Sequence, residues 1–163
     1  MKIQWELTTS GNKLVMSGQE VGYFQIPDPR KPLTATFQIG TQIFTITRPG
    51  FWKTRVCIYD ENGHEIMHLK PKNWWFNSMV FTYLQETYVI RLKNSPLVTW
   101  IIENNGISIL EYGLAVTSKG NGLKIKCDDD VPVLFHGLLW YFMHTVLQEQ
   151  NGFDDGSLIV VLV

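Results

Sequence analysis

The chain has 163 residues, a length that fits one domain, 1–163, with a substantial core. Its net charge is −1 and no polybasic run interrupts it, so nothing announces a nucleic-acid partner. Cys57 and Cys127 lie far apart without metal-ligand spacing, and MKIQWELTTSGNK turns polar too early for a secretory signal.

Free thiols in a reducing compartment follow as the expectation, and with them a cytoplasmic protein. Aromatic residues make up 13% of the chain, six of them Trp, so these rings require a large interior or a site.

In chain order, Lys2 to Thr8 and Asn12 to Ser17 flank a Ser10-Gly11-Asn12 turn signal and read as a hairpin. Glu20 to Ile26 reads as a third strand. Pro27-Asp28-Pro29-Arg30-Lys31-Pro32 then breaks the pattern, because three prolines in six residues do not fit a ladder. Leu33, Ala35, Phe37 and Ile39 alternate with Thr34, Thr36 and Gln38, the period of a half-buried strand. Gly40-Thr41 turns the chain into a partner strand carrying Phe44 and Ile46 on one face.

Residues 57–66, CIYDENGHEI, align with residues 100–109, WIIENNGISI. Each copy places an acidic residue, an Asn-Gly pair and an isoleucine in the same order, which predicts two similar hairpins in an antiparallel meander. Trp74 to Leu84, Glu86 to Asn94, Leu110 to Val116 and Leu123 to Cys127 read as further strands. Leu158 to Val163 closes the chain as an apolar run expected to be covered on both faces.

Val131 to Gln150 is the one segment long enough for a major helix. At 100° per residue its Leu, Phe, Trp, Tyr, Met and Val side chains surround the axis, and a helix apolar all round must be enclosed. Asp128, Asp129 and Asp130 offer an N-cap, Pro132 suits the first turn, and Asn151-Gly152 suits the exit. A transmembrane span is the rival reading, opposed by His136, His144, Pro132, Gly137 and acidic flanks. About twelve strands and one enclosed helix fit a closed antiparallel β-barrel with the helix, about 131–150, inside it and a final strand at about 158–163.

With IYDENGHEI and IIENNGISI as paired hairpins, LKPKNWWF as a basic-aromatic strand and VPVLFHGLLWYFMHTVL as a central helix, the chain resembles the tubby C-terminal superfamily. That group contains tubby-like proteins, phospholipid scramblases, LURP-one-related proteins and small bacterial members. The resemblance implies a twelve-stranded barrel around a hydrophobic helix, and it implies binding of anionic, phosphoinositide-like lipid. Scramblase features, a cysteine cluster and a proline-rich N-terminal arm, are missing.

The candidate anion contacts are Lys70 and Lys72 in LKPK and Arg91 and Lys93 in RLKN, since alternate residues of a strand share a face. Arg48, Lys53 and Arg55 form a second basic group. Trp74, Trp75 and Phe76 are candidate interface aromatics, and docking of a protein partner through them is the leading functional expectation. A possible anionic membrane surface is the first alternative partner, and an apolar small ligand held in the barrel is the second. No catalytic residue, cofactor or metal site is expected: His136 and His144 diverge on the helix, His64 and His68 lie about 13 Å apart along a strand, and no nucleophile or phosphate-loop motif occurs.

Overall fold

The computed structural model describes residues 1–73, 77–94, 96–117, 120–150 and 159–162. Strands β1 (Ile3–Leu7), β2 (Asn12–Met16), β3 (Gln19–Gln25), β4 (Ala35–Ile39), β5 (Gln42–Thr47), β6 (Val56–Tyr59) and β7 (Glu65–Pro71) form the first run. They continue into β8 (Ser78–Tyr83), β9 (Glu86–Lys93), β10 (Thr99–Asn104), β11 (Ile107–Thr117) and β12 (Gly120–Cys127). Helix α1 (Val133–Gln150) and β13 (Ile159–Leu162) follow.

Each strand from β1 to β11 pairs antiparallel with the next, so β1 to β12 form a simple meander curled into a nearly closed barrel. β13 departs from this pattern. It runs parallel to β12, with Leu123 opposite Val160, and also lies against β1. The parallel direction follows from the connection: α1 carries the chain back along the barrel before the last strand starts, as a crossover must.

Alternation sets which side chains enter the interior. In β4, Ala35 and Phe37 are buried while Thr36 and Gln38 face outward, as their period predicts. Gly22 of β3 lies against the Phe37 ring, where a Cβ would collide with it.

The two aligned hairpins exist, but they turn differently. Asn105 and Gly106 both have positive φ, which closes β10–β11 with a two-residue turn between Asn104 and Ile107. In β6–β7 only Gly63 has positive φ, and Asp60 organises a longer loop by accepting from the backbone N–H groups of Asn62 and His64. β8–β9 turns through Leu84 and Gln85, both at positive φ although neither is Gly or Asn.

Helix α1 begins at Val133, two residues later than the sequence pattern suggests, because Pro132 takes the cap position and its carbonyl receives the Phe135 N–H. The three aspartates therefore precede the helix instead of entering its first turn. Leu134 through Leu147 contribute nine buried apolar side chains, and the rings of α1 meet partners from strands on several sides. Trp140 stacks on Trp5 of β1 at 4.5 Å, Phe135 meets Phe81 and Tyr88 edge-on, and Phe142 lies 4.6 Å from Trp100. Tyr141 donates its hydroxyl to the Leu33 carbonyl. Among the described residues no helix is long and apolar enough to cross a membrane.

Candidate functional site

Lys70 and Lys72 follow the outward phase of β7, because Met67 and Leu69 take the inward one. Arg91 and Lys93 do the same on β9, opposite in phase to the buried Tyr88 and Ile90. Cross-strand register brings the pairs to one face: the Lys72 N–H donates to the Ser78 carbonyl, and Ser78 stands opposite Arg91. With one strand between them, the two pairs are about 10 Å apart. Arg91 is already engaged, donating to Glu103 Oε2 at 3.0 Å, so Lys70, Lys72 and Lys93 carry the free positive charge of this patch.

The second basic group divides. Arg48 turns inward and lies over the rings of Tyr141 and Phe142, at 5.6 and 5.4 Å, a cation–π arrangement. Lys53 and Arg55 stay exposed. Between them and Arg48, the loop projects Phe51 and Trp52 into solvent, 88% and 82% exposed, with their rings edge to face at 5.2 Å. Gly50 and Lys53, both at positive φ, bend the loop on either side of this pair. In RPGFWKTR the two aromatics, which are not among the sequence-based candidates, are the most exposed large hydrophobic side chains among the described residues. Their signal was available, since two large rings follow a Pro-Gly turn outside any alternating pattern.

Meander topology decides which loops are neighbours. Val56 opens β6 and pairs with Leu69 near the close of β7, so the 48–55 loop and the segment after Pro71 share one end of the barrel. The β3–β4 connection and the start of β10 lie at that end as well, because consecutive strands alternate in direction. Exposed Arg30, Lys31, Lys53, Arg55, Lys72 and Lys93 therefore lie at the same barrel end as the Phe51–Trp52 tip, with Asp28 paired to Arg30. The opposite end carries Asp60 and Glu61 in the β6–β7 turn, Glu86 at the start of β9, and Asp128, Asp129 and Asp130 ahead of the helix. Among the described residues basic side chains thus predominate at one end and acidic ones at the other, where Lys2 and Lys126 are also exposed.

Trp74, Trp75 and Phe76, the expected interface aromatics, lie outside the described residues.

Among the described residues a polar chain runs through the interior. Trp5 Nε1 donates to the Tyr112 hydroxyl at 2.9 Å, which leaves that hydroxyl to donate to His136 Nδ1, also at 2.9 Å. His136 then carries its proton on Nε2, toward Cys127 Sγ at 3.5 Å, and the thiol donates to the Asp128 carbonyl at 3.0 Å. Every donor in this sequence has one acceptor.

Burial lowers the His136 pKa to about 4 and raises that of Cys127 to about 11, the latter helped by the charges of Asp128 and Asp129. The two groups are accordingly neutral at pH 7. A thiolate–imidazolium nucleophile requires the opposite pair of shifts, so this arrangement is a structural tie between α1, β1, β11 and β12.

His64 and His68 do not converge. His64 sits in the turn beside Asp60, and His68 in β7 beside Glu65.

No protein-family model, curated protein or solved structure matches the chain.

Proposed function

We propose that the protein is a non-enzymatic binding module that seats end-on against an anionic lipid surface. The observation that carries this reading is the coincidence, at one barrel end, of an exposed Phe51–Trp52 pair with several exposed lysines and arginines. Aromatic side chains prefer the headgroup region of a bilayer, and nearby cations are drawn to anionic headgroups by about 1 kcal/mol each. Acidic groups at the far end orient the molecule so that the aromatic tip arrives first.

In this reading α1 is the central plug of a closed wall. Ring contacts from β1, β8, β9 and β10 support that placement, and so does the Arg48 guanidinium over Tyr141 and Phe142. A plugged barrel holds no apolar ligand in its interior, which sets aside the small-ligand alternative and leaves the outer surface as the working part. The order of twelve antiparallel strands, a hydrophobic helix and a last strand also supports kinship with the tubby C-terminal superfamily.

Substitutions at the two ends test the proposal. Phe51→Ser with Trp52→Ser abolishes association with anionic vesicles, while Glu61→Gln with Asp129→Asn leaves it intact. Equal effects of both pairs would contradict end-on docking. A protein that ignores vesicles, yet loses a protein partner on the same aromatic substitutions, would instead assign the tip to protein docking.

A further inference from the structure

The outer face of the β6–β7 hairpin gathers three metal-ligating side chains that no spacing in the sequence reveals. Cys57 of β6 stands directly opposite His68 of β7. Glu65 lies three residues before His68, and in a regular strand it would point to the other face of the sheet. A β-bulge prevents that: Ile58 pairs with Met67 and Tyr59 with Glu65, so Ile66 is the extra residue and the strand phase resets across it. Glu65 consequently returns to the face of His68, and its Oε1 lies 3.1 Å from His68 Nδ1.

One ligand atom from each of Cys57, Glu65 and His68 falls within 4.8 Å of the others. We infer that this bulged hairpin is a binding site for a zinc-like divalent transition metal, held by Cys57 Sγ, a Glu65 carboxylate oxygen and a His68 ring nitrogen. Thiolate and imidazole favour zinc and its neighbours over calcium or magnesium, which take oxygen ligands. Bond lengths of about 2.0 Å to nitrogen and oxygen and about 2.3 Å to sulfur place ligand atoms about 3.5 Å apart, within reach of small side-chain rotations here.

Two more features suit such an ion. The Tyr59 hydroxyl donates to Glu65 Oε2 at 3.5 Å, holding the second carboxylate oxygen as a supporting contact does in metal sites. Among the described residues His68 Nε2 is buried without a hydrogen-bond partner, so the ring has one nitrogen to spare while the other meets Glu65. Access comes from the neighbouring groove. The β7–β8 ladder pairs Lys70 with Val80 and Pro71 with Met79, at one end of the two strands, which leave a groove lined by Glu65, His68, Lys70 and Thr82. Three protein ligands leave a fourth position for water.

Titration of the full-length, reduced protein with Co2+ tests the site, because a cobalt–thiolate bond gives a charge-transfer band and tetrahedral coordination gives intense visible bands. One equivalent is expected to bind, with Cys57→Ser losing the charge-transfer band and Cys127→Ser keeping it. His68→Gln is expected to weaken binding at least tenfold. A band that survives Cys57→Ser, or none at equimolar micromolar Co2+, would overturn the assignment. Glu65 is exposed, so Glu65→Gln is expected to fold normally. Zn2+ should raise the melting temperature of the native protein and not of this variant, and an equal rise in both would count against the site.

Discussion

The Phe37 ring occupies the space in which a side chain at Gly137 would begin. A Cβ built on Gly137 falls well inside van der Waals distance of three atoms of that ring. Gly inside a helix ordinarily costs about 1 kcal/mol relative to Ala, and here it is what allows α1 to approach β4 closely. Gly137→Ala is therefore expected to destabilise the protein by about 1–3 kcal/mol, against its helix propensity. Combining it with Phe37→Leu should recover part of the loss, measured as coupling in a double-mutant cycle of chemical denaturation. Additive effects would show that α1 and β4 are not in contact at this point.

Tyr112 joins two buried groups that have few alternatives. Replacing it with Phe strands Trp5 Nε1 and His136 Nδ1 in the interior, at a cost of about 2–4 kcal/mol. Tyr23 bonds Ser10 at the surface, and Tyr23→Phe is expected to cost less than about 0.5 kcal/mol. Thermal melts of the two variants should differ by several degrees.

His136 makes the fold acid-sensitive in a definite window. Its pKa is about 4 in the folded chain and about 6.5 when exposed on unfolding. Between those values the unfolded chain binds the extra proton, so stability falls as pH drops from about 6.5 to about 4, by about 3 kcal/mol in total. Above that window the contribution is fully present. Burial of His144 lowers its pKa too and acts in the same direction. Melting temperatures at pH 7 and pH 4.5 should separate more widely for the native protein than for His136→Asn.

Leu84 and Gln85 are a local strain that can be relieved. Both occupy positive φ in the β8–β9 turn, a conformation that Asn and Gly adopt more easily. Leu84→Asn with Gln85→Gly should raise stability by about 1 kcal/mol, and would also remove a 79%-exposed leucine. A lower melting temperature would mean that the Leu84 side chain makes contacts that outweigh the strain.

These positions also mark how far the sequence could be read. Asn105-Gly106 announces its own turn, since both residues favour the required conformation, and the alternation through Phe37 fixes the phase of β4. The apolar circumference of 134–147 likewise demands enclosure. Leu84-Gln85 carries no such signal, because its backbone is imposed by the strands on either side. Strict period-two alternation would put Glu65 and His68 on opposite faces, and a single bulge residue, Ile66, defeats it. Residues far apart in the chain, such as Arg30 and Trp52, come to the same barrel end through strand order alone, and the distribution of charge between the two ends is invisible until that order is known.

The most direct measurement of the central claim is flotation of the purified chain with vesicles of neutral phosphatidylcholine and with vesicles containing anionic phosphatidylserine, each at low and high salt. End-on docking predicts flotation with anionic vesicles at low salt, little with neutral ones, and a marked loss at high salt as the lysines and arginines are screened. Equal flotation with both vesicle types, or none with anionic vesicles at low salt, would contradict it.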